Sequence, residues 1–411
     1  MTAIDLACRF CGTPLKQSLA DLGSTPLSNS YLRAEDLERM EPTYPLHARV
    51  CGSCFLVQLE SFESPQHIFS EYAYFSSYSD SWLKHAKAYA EMAAMRFDLN
   101  AKSHVVEIAS NDGYLLRWFK DLGIPVLGIE PAANVAKVAE ANGIPSRVLF
   151  FGRETARGLV ANGESADLTA ANNVLAHVPD INDFVAGFSI LLKPEGVSTF
   201  EFPHLLQLME KRQFDTIYHE HFSYLSLTTV QKIFGTHGLR VFDVQEIPTH
   251  GGSLRVFACR TDAQHAETPA VAELLEREKA FGLTDLKRYA AFQEEVKSLK
   301  RDLLSFLIEA KRAGKSVAGY GAPAKGNTLL NYCGVRGDFL DFTVDRSPHK
   351  QNTWLPGTRI PVYAPEKIRE EKPDYLLILP WNIREEVVEQ MSHIREWGGR
   401  FVVPIPEVKV L

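Results

Sequence analysis

The chain has 411 residues, 45% of them hydrophobic and 23% charged, which is the balance of a folded globular protein and excludes wholesale disorder. Its 44 Lys and Arg against 51 Asp and Glu give a net charge of −7, so a generally basic nucleic-acid binder is excluded, although a local basic pocket is not. No apolar run approaches the roughly 18 residues of a membrane span, and Met1 to Cys8 lacks the basic and apolar stretches of a secretion signal. A cytoplasmic protein with reduced cysteines and no nucleic-acid or membrane partner is expected.

Four of the six cysteines form two pairs, Cys8-Arg9-Phe10-Cys11 and Cys51-Gly52-Ser53-Cys54. A two-residue gap lets both thiolates of one tight turn face one ion. Two such turns supply Cys8, Cys11, Cys51 and Cys54 as a closed tetrahedral zinc site. The 39 residues between the pairs imply an inserted segment, with a turn expected at 22–27. Four thiolates leave no place for water, so the zinc is expected to be structural. Four buried, metal-free cysteines are the alternative, and a redox role would need only one pair. Cys259 and Cys333 are isolated and read as core residues.

Residues 103–108 predict a buried strand running into the turn 109–116. The next strand, 126–130, ends in an acid 23 residues after Glu107, and further strands are expected at 166–171 and 196–201. Alternating strands and helices imply an α/β fold with a parallel sheet and a ligand crevice at the strand carboxyl ends. The turn is not GxGxxG, so it is not built for a pyrophosphate. A carboxylate (Glu107), a small residue (Ala109) and a second carboxylate (Glu130) suit S-adenosylmethionine, whose ammonium and ribose want acceptors. An acid-tipped αβ unit without a ligand is the alternative. Glu107, Ala109, Asn111, Gly113, Glu130 and Asn172 are the expected donor-binding residues.

The stretch 214–224 packs Tyr218, His219, Glu220, His221 and Tyr224 together, and His177 follows the strand that faces the donor. Such density of titratable groups points to proton transfer. A metal pair or a solvated loop would be the other readings of His219-Glu220-His221. A long helix is expected from Thr284, with Tyr289, Phe292, Val296, Leu299, Leu303, Phe306 and Ala310 on one face and Gly314 as its stop. It would either pack on a neighbouring domain or pair as a coiled coil. A second αβ unit follows, 316–320, with a glycine turn and Lys325. By itself that turn suits either a phosphate at a helix N-terminus or close strand–helix packing.

Taken together the motifs resemble the three-domain bacterial C-methyltransferases of nucleotide-linked 4-keto-deoxysugars, a family that includes the D-tetronitrose C-3′-methyltransferase. The resemblance spans essentially the whole chain. It rests on the paired CxxC turns, Tyr72-Ala73-Tyr74, Val106-Glu107-Ile108 with Asn111-Asp112-Gly113, His177, Tyr218-x-Glu220-His221 and His250-Gly251-Gly252. Gly319-Tyr320-Gly321-Ala322-x-Ala324-Lys325 and Asp345-x-x-Pro348-x-Lys350-Gln351-Asn352 complete it. It implies a small zinc-binding domain, a Rossmann-like class I methyltransferase domain and a C-terminal Rossmann-like domain; the end of the zinc-related turns near residue 65 and the shift from Gly251-Gly252 to Thr268 put these at 1–70, 71–255 and 256–411. It also implies that His221 removes the proton next to the sugar ketone and that Tyr218 steadies the enolate oxygen. Glu220 would hold the His221 ring, with His177 and Tyr72 as further active-site positions. Tyr320, Lys325, Asp345, Lys350 and Asn352 would line the nucleotide-sugar cleft, and the enzyme is expected to be a monomer. Two positions depart from the tetronitrose enzyme, which has acids where this chain has His219 and Leu149. Ala109 stands where glycine is more usual.

Overall fold

The computed structural model describes residues 6–62, 76–78 and 80–411. Tyr72 lies outside the described residues. Three sheets organise the chain. In the first, β1 (Gln17–Thr25), β2 (Tyr44–Val50) and β3 (Val57–Gln58) pair antiparallel. Alternation buries Leu46, Ala48 and Val50 on one face of β2. The turn expected at 22–27 is instead mostly strand. A register shift between Asp21 and Ser24, with Gly23 at φ 77°, absorbs the glycine as a bulge in β1.

The middle sheet begins with β4 (Val105–Ile108), β5 (Val126–Ile129), β6 (Ser146–Arg147), β7 (Ala166–Asn172) and β8 (Leu192–Pro203). All five run parallel, in the order β6-β5-β4-β7-β8. Strand β9 (Ser223–Tyr224) leaves this unit and pairs with β3, adding a fourth strand to the first sheet. The hairpin β10 (Leu239–Ile247) and β11 (Ser253–Arg260) closes the middle sheet, with β11 paired antiparallel to β8 and β10 at the edge. The boundary expected between residues 255 and 256 therefore falls inside a strand bonded on both sides. A glycine pair breaks the hairpin at its turn, not the sheet.

The third sheet has a parallel centre: β12 (Val317–Tyr320), β13 (Thr343–Val344), β15 (Pro361–Tyr363), β16 (Tyr375–Ile378) and β17 (Arg400–Val403). Two antiparallel edges, β14 (Thr353–Trp354) and β18 (Lys409–Val410), complete it in the order β14-β15-β13-β12-β16-β17-β18. Helix Leu286–Arg312 crosses between the sheets and packs on β1, the alternative to a coiled coil. It starts two residues later than expected, because the Asp285 carboxylate caps the Lys287 N–H at 2.9 Å. Leu307 takes the buried place expected of Phe306, which lies partly exposed against Tyr375. Cys259 and Cys333 are buried as expected. Among the described residues no helix is long and apolar enough to cross a membrane.

Candidate active site

The four paired cysteines converge. Their Sγ atoms lie within 4.8 Å of one another, with Cys8–Cys54 at 3.6 Å and Cys11–Cys51 at 3.5 Å. Zn–S bonds of about 2.3 Å in a tetrahedron require sulfurs about 3.8 Å apart, so the set fits zinc without rearrangement. The knuckle is docked onto the middle sheet by Arg9. Its guanidinium donates to the Pro179 and Leu59 carbonyls and lies 5.4 Å from the Phe222 ring centroid.

At the carboxyl edge of the middle sheet, Glu107 lies one residue before the end of β4, fully buried, with the Tyr114 phenol beside it and, among the described residues, no cation on either oxygen. Burial pushes its pKa well above the usual range, against the pull of the Tyr114 phenol, and Glu130 and Asp112 push it further. A buried carboxylate without a counter-ion is costly unless a cation arrives, and an ammonium fits that need. Glu130, just past β5, accepts from the Asn111 and Ala132 N–H groups, both at 2.8 Å. Those bonds fix its direction and leave lone pairs for ribose hydroxyls. Asn172 Oδ1 is buried and unpartnered.

The connecting loop is strained. Ala109 (φ 59°), Asn111 (φ 50°) and Gly113 (φ 80°) all occupy the left-handed region, which costs a non-glycine residue about 1–2 kcal/mol. Asn111 Oδ1 and the Asp112 carboxylate accept from the Ser76 and Ser77 N–H groups at 3.0 and 3.1 Å. Both side chains thus hold the 76–78 turn at the crevice mouth. Gly128 has no room for a Cβ, which would meet the Ser110 hydroxyl.

The second cluster lies where the 213–222 segment meets the other two sheets. His221 Nδ1 is 3.0 Å from the Thr216 carbonyl oxygen. A carbonyl only accepts, so Nδ1 carries the proton and Nε2 the lone pair. The Tyr218 O–H donates to that Nε2 at 2.8 Å. His177 Nδ1 donates to the Glu220 carbonyl at 2.8 Å, and its ring meets the His221 ring edge-on at 4.7 Å. Burial, then the neighbouring His177, hold His221 well below the usual histidine pKa, and burial lowers His177 to about 4. Both rings are neutral at physiological pH.

Glu220 does not hold the His221 ring. Its carboxyl turns to the first sheet and accepts from Asn29 Nδ2 at 2.7 Å, while the Thr216 carbonyl orients the imidazole. His219 also faces away, with Nε2 3.1 Å from the Pro45 carbonyl oxygen.

The residues expected to contact the sugar nucleotide divide. Lys325, near the start of helix Ala324–Cys333, lies over the ring of Trp381, whose N–H bonds Asp215, and Thr328 of the same helix donates to the Ile217 carbonyl at 3.0 Å, so this end of the helix sits against the 213–222 segment. Tyr320 lines a separate cavity of about 620 Å³ with Arg346, Gln351 and Gln390. Asp345 accepts from the Ala322 and Ser347 N–H groups, both at 2.8 Å, and Lys350 donates to the Ala322 carbonyl at 2.8 Å. These two brace the glycine turn. Asn352 is exposed at φ 62°.

Sequence reasoning missed two residues here. Asp215 is fully buried. Its Oδ2 accepts from Trp381 Nε1–H at 2.7 Å, and burial, against the pull of Lys325, raises its pKa to about 6. Trp381 is remote in sequence, and only the glycine pair hinted at it. A Cβ on Gly251 would stand 2.5 Å from the Trp381 ring.

Three family models match in tandem: a zinc binding domain over residues 8–69, a methyltransferase domain over 81–244 and a C-methyltransferase C-terminal domain over 248–406. C-methyltransferase NovU of Streptomyces niveus is 38% identical over 404 residues, covering 98% of this chain and 96% of NovU. A ubiquinone biosynthesis O-methyltransferase of Rhodopseudomonas palustris (strain BisA53) is 31% identical over 121 residues, 28% of this chain and 48% of that protein. Magnesium protoporphyrin IX methyltransferase of Synechocystis, solved with bound S-adenosylmethionine, matches 44% of this chain and 82% of its own at 15% identity and a TM-score of 0.33. The NovU match runs end to end through both clusters, and the chain belongs to that family: it is an S-adenosylmethionine-dependent C-methyltransferase with a zinc-binding N-terminal domain.

Proposed function

We propose that this C-methyltransferase acts on a nucleotide-linked 4-keto-deoxysugar and methylates the carbon next to the ketone, with C3 as the favoured position. The observation that carries the reading is the neutral His221, whose Nε2 lone pair meets a phenol beside the donor crevice. Carbon acids need such a base. A ketone acidifies its neighbouring C–H, and a phenol can stabilise the oxyanion that forms. The sugar class comes from the resemblance of the motifs.

In this scheme His221 Nε2 takes the proton from the carbon. The C–H electron pair becomes the enolate double bond, and the carbonyl π pair moves onto oxygen, where the Tyr218 O–H turns to meet it. S-adenosylmethionine supplies an electrophilic methyl, so a C–C bond forms as the S–CH3 bond breaks and the ketone returns. His221 then releases its proton to water. Glu107 and Glu130 hold the donor, and burial together with the neighbouring His177 keeps the His221 imidazole unprotonated between turnovers.

A second reading has one observation in its favour. The Tyr218 O–H already donates to Nε2, so a Tyr218 phenolate could take the carbon-bound proton after His221 has accepted the phenolic one. The acceptor reading is tested with a TDP-linked 4-keto-6-deoxyhexose and methyl-labelled donor. Product NMR should show a new C–CH3 beside the ketone. A label on oxygen or nitrogen, or no transfer at all, would count against it.

A further inference from the structure

The Lys325 ammonium donates to Asn382 Oδ1 at 2.8 Å and lies 4.4 Å from the Trp381 ring centroid. Among the described residues it makes no ion pair. Asp215 acts on it only through space: its Oδ2 accepts from the Trp381 N–H, and its Oδ1 has no hydrogen-bond partner among those residues. Lys325 is half-buried, and an ammonium drawn out of water without a contacting counter-ion is costly. The helix that carries it, Ala324–Cys333, adds the positive end of its dipole to the same spot. Two carboxylates act on this cluster from a distance, Asp215 on Lys325 and Glu201 on His250, and Glu201 is already paired with Arg255. His221 is faced by Tyr218, Tyr224, His177, His250 and Lys325. The Glu220 carboxyl is turned away to Asn29. His250, at φ 55°, is held beside Asn173 and Trp82, and the glycine after it packs on Trp381.

We propose that the Lys325 ammonium is the counter-charge for the oxyanion that forms when His221 deprotonates the acceptor, so that the third sheet contributes a catalytic residue to chemistry housed on the middle one. This rests on the carbon-acid reading above. It replaces the expectation that Lys325 binds the nucleotide's phosphates. Both roles answer to an anionic oxygen, but their kinetic signatures differ. A phosphate contact is made equally in the ground and transition states and is felt in KM. An oxyanion contact exists only once the proton has left and is felt in kcat.

The test uses zinc-loaded full-length protein, wild type and with Lys325→Met or Lys325→Arg, and a TDP-linked 4-keto-6-deoxyhexose. In Lys325→Met, kcat should fall about 10²-fold while KM stays within about threefold. Lys325→Arg, which keeps the charge, should recover most of the rate. A readout without substrate runs in parallel: the pH titration of the His221 ring protons by NMR. Removing a neighbouring cation should raise that midpoint by about one unit and carry the acid limb of kcat/KM up with it. A raised KM with unchanged kcat would overturn the proposal in favour of a phosphate contact, and so would an unmoved His221 midpoint. If wild type neither exchanges nor methylates the keto-sugar, the acceptor reading fails, and the His221 titration alone then decides whether Lys325 faces the base.

Discussion

Replacing His221 with asparagine removes the proposed base and little else. The ring's Nδ1–H serves only to bond the Thr216 carbonyl, and an asparagine Nδ2–H occupies nearly the same place. The Tyr218 hydroxyl loses its acceptor, but that residue is only partly buried and water can take over. The cost to stability should be about 1 kcal/mol, the net value of one hydrogen bond. Loss of a general base, by contrast, costs about 10²–10⁴ in rate. His221→Asn should therefore melt within a few degrees of wild type and bind donor normally. It should lose deuterium wash-in at the carbon flanking the ketone, measured by NMR without donor. Tyr218→Phe should keep measurable exchange while turnover slows. The reverse pattern, wild-type exchange in His221→Asn and none in Tyr218→Phe, would refute the assignment and make the phenolate the base.

Freshly purified protein should contain one zinc per chain by elemental analysis, and Cys8→Ser or Cys54→Ser should lower the melting temperature without changing donor affinity; a metal-free preparation with full stability would rule the site out. Glu130→Ala should weaken S-adenosylmethionine binding by about 1–3 kcal/mol, read by calorimetry, since charge-assisted bonds to two hydroxyls are lost. An unchanged Kd would mean that β5 does not carry the ribose contact. Glu278 accepts from His204, from the Leu227 and Thr228 N–H groups and from the Thr228 hydroxyl, all at 2.6–2.8 Å. Glu278→Ala should cost about 3–5 kcal/mol in urea unfolding, because it orphans buried donors. Burial opposes ionisation of Glu278, but these donors prevail and hold its carboxyl below the usual range. Its contribution is therefore full above the unfolded carboxyl pKa of about 4.3 and is lost as pH falls through the folded value. Wild type should lose that share of its stability on acidification, and the variant should have none of it to lose.

Short-range chemistry was the legible part. The CxxC pairs, the acids ending β4 and β5 and the Tyr218–His221 spacing each act through neighbours a few residues away, and the structure brings them together. The long amphipathic helix was readable for the same reason, to within two residues at its start. What stayed hidden depends on contacts between distant segments. Glu220 adjoins His221 in sequence, yet Asn29, 191 residues away, claims its carboxyl. Trp381 reaches Asp215 across 166 residues. The hairpin that closes the middle sheet looked like a domain border, because a glycine pair marks a turn whether or not the strands on either side stay paired.

The pairing of β3 with β9 binds two inventories that are usually kept apart. Tyr224 follows the proposed base by three positions, and its backbone partner is Val57, three residues after the last zinc ligand. A chain trimmed after the zinc ligands but ahead of the 76–78 turn would expose Ser223–Tyr224 as a bare edge and set the base adrift while the donor crevice stayed whole. Such a fragment would still capture donor in a binding screen and pass for a competent enzyme. For this architecture, donor binding certifies only half of the machine.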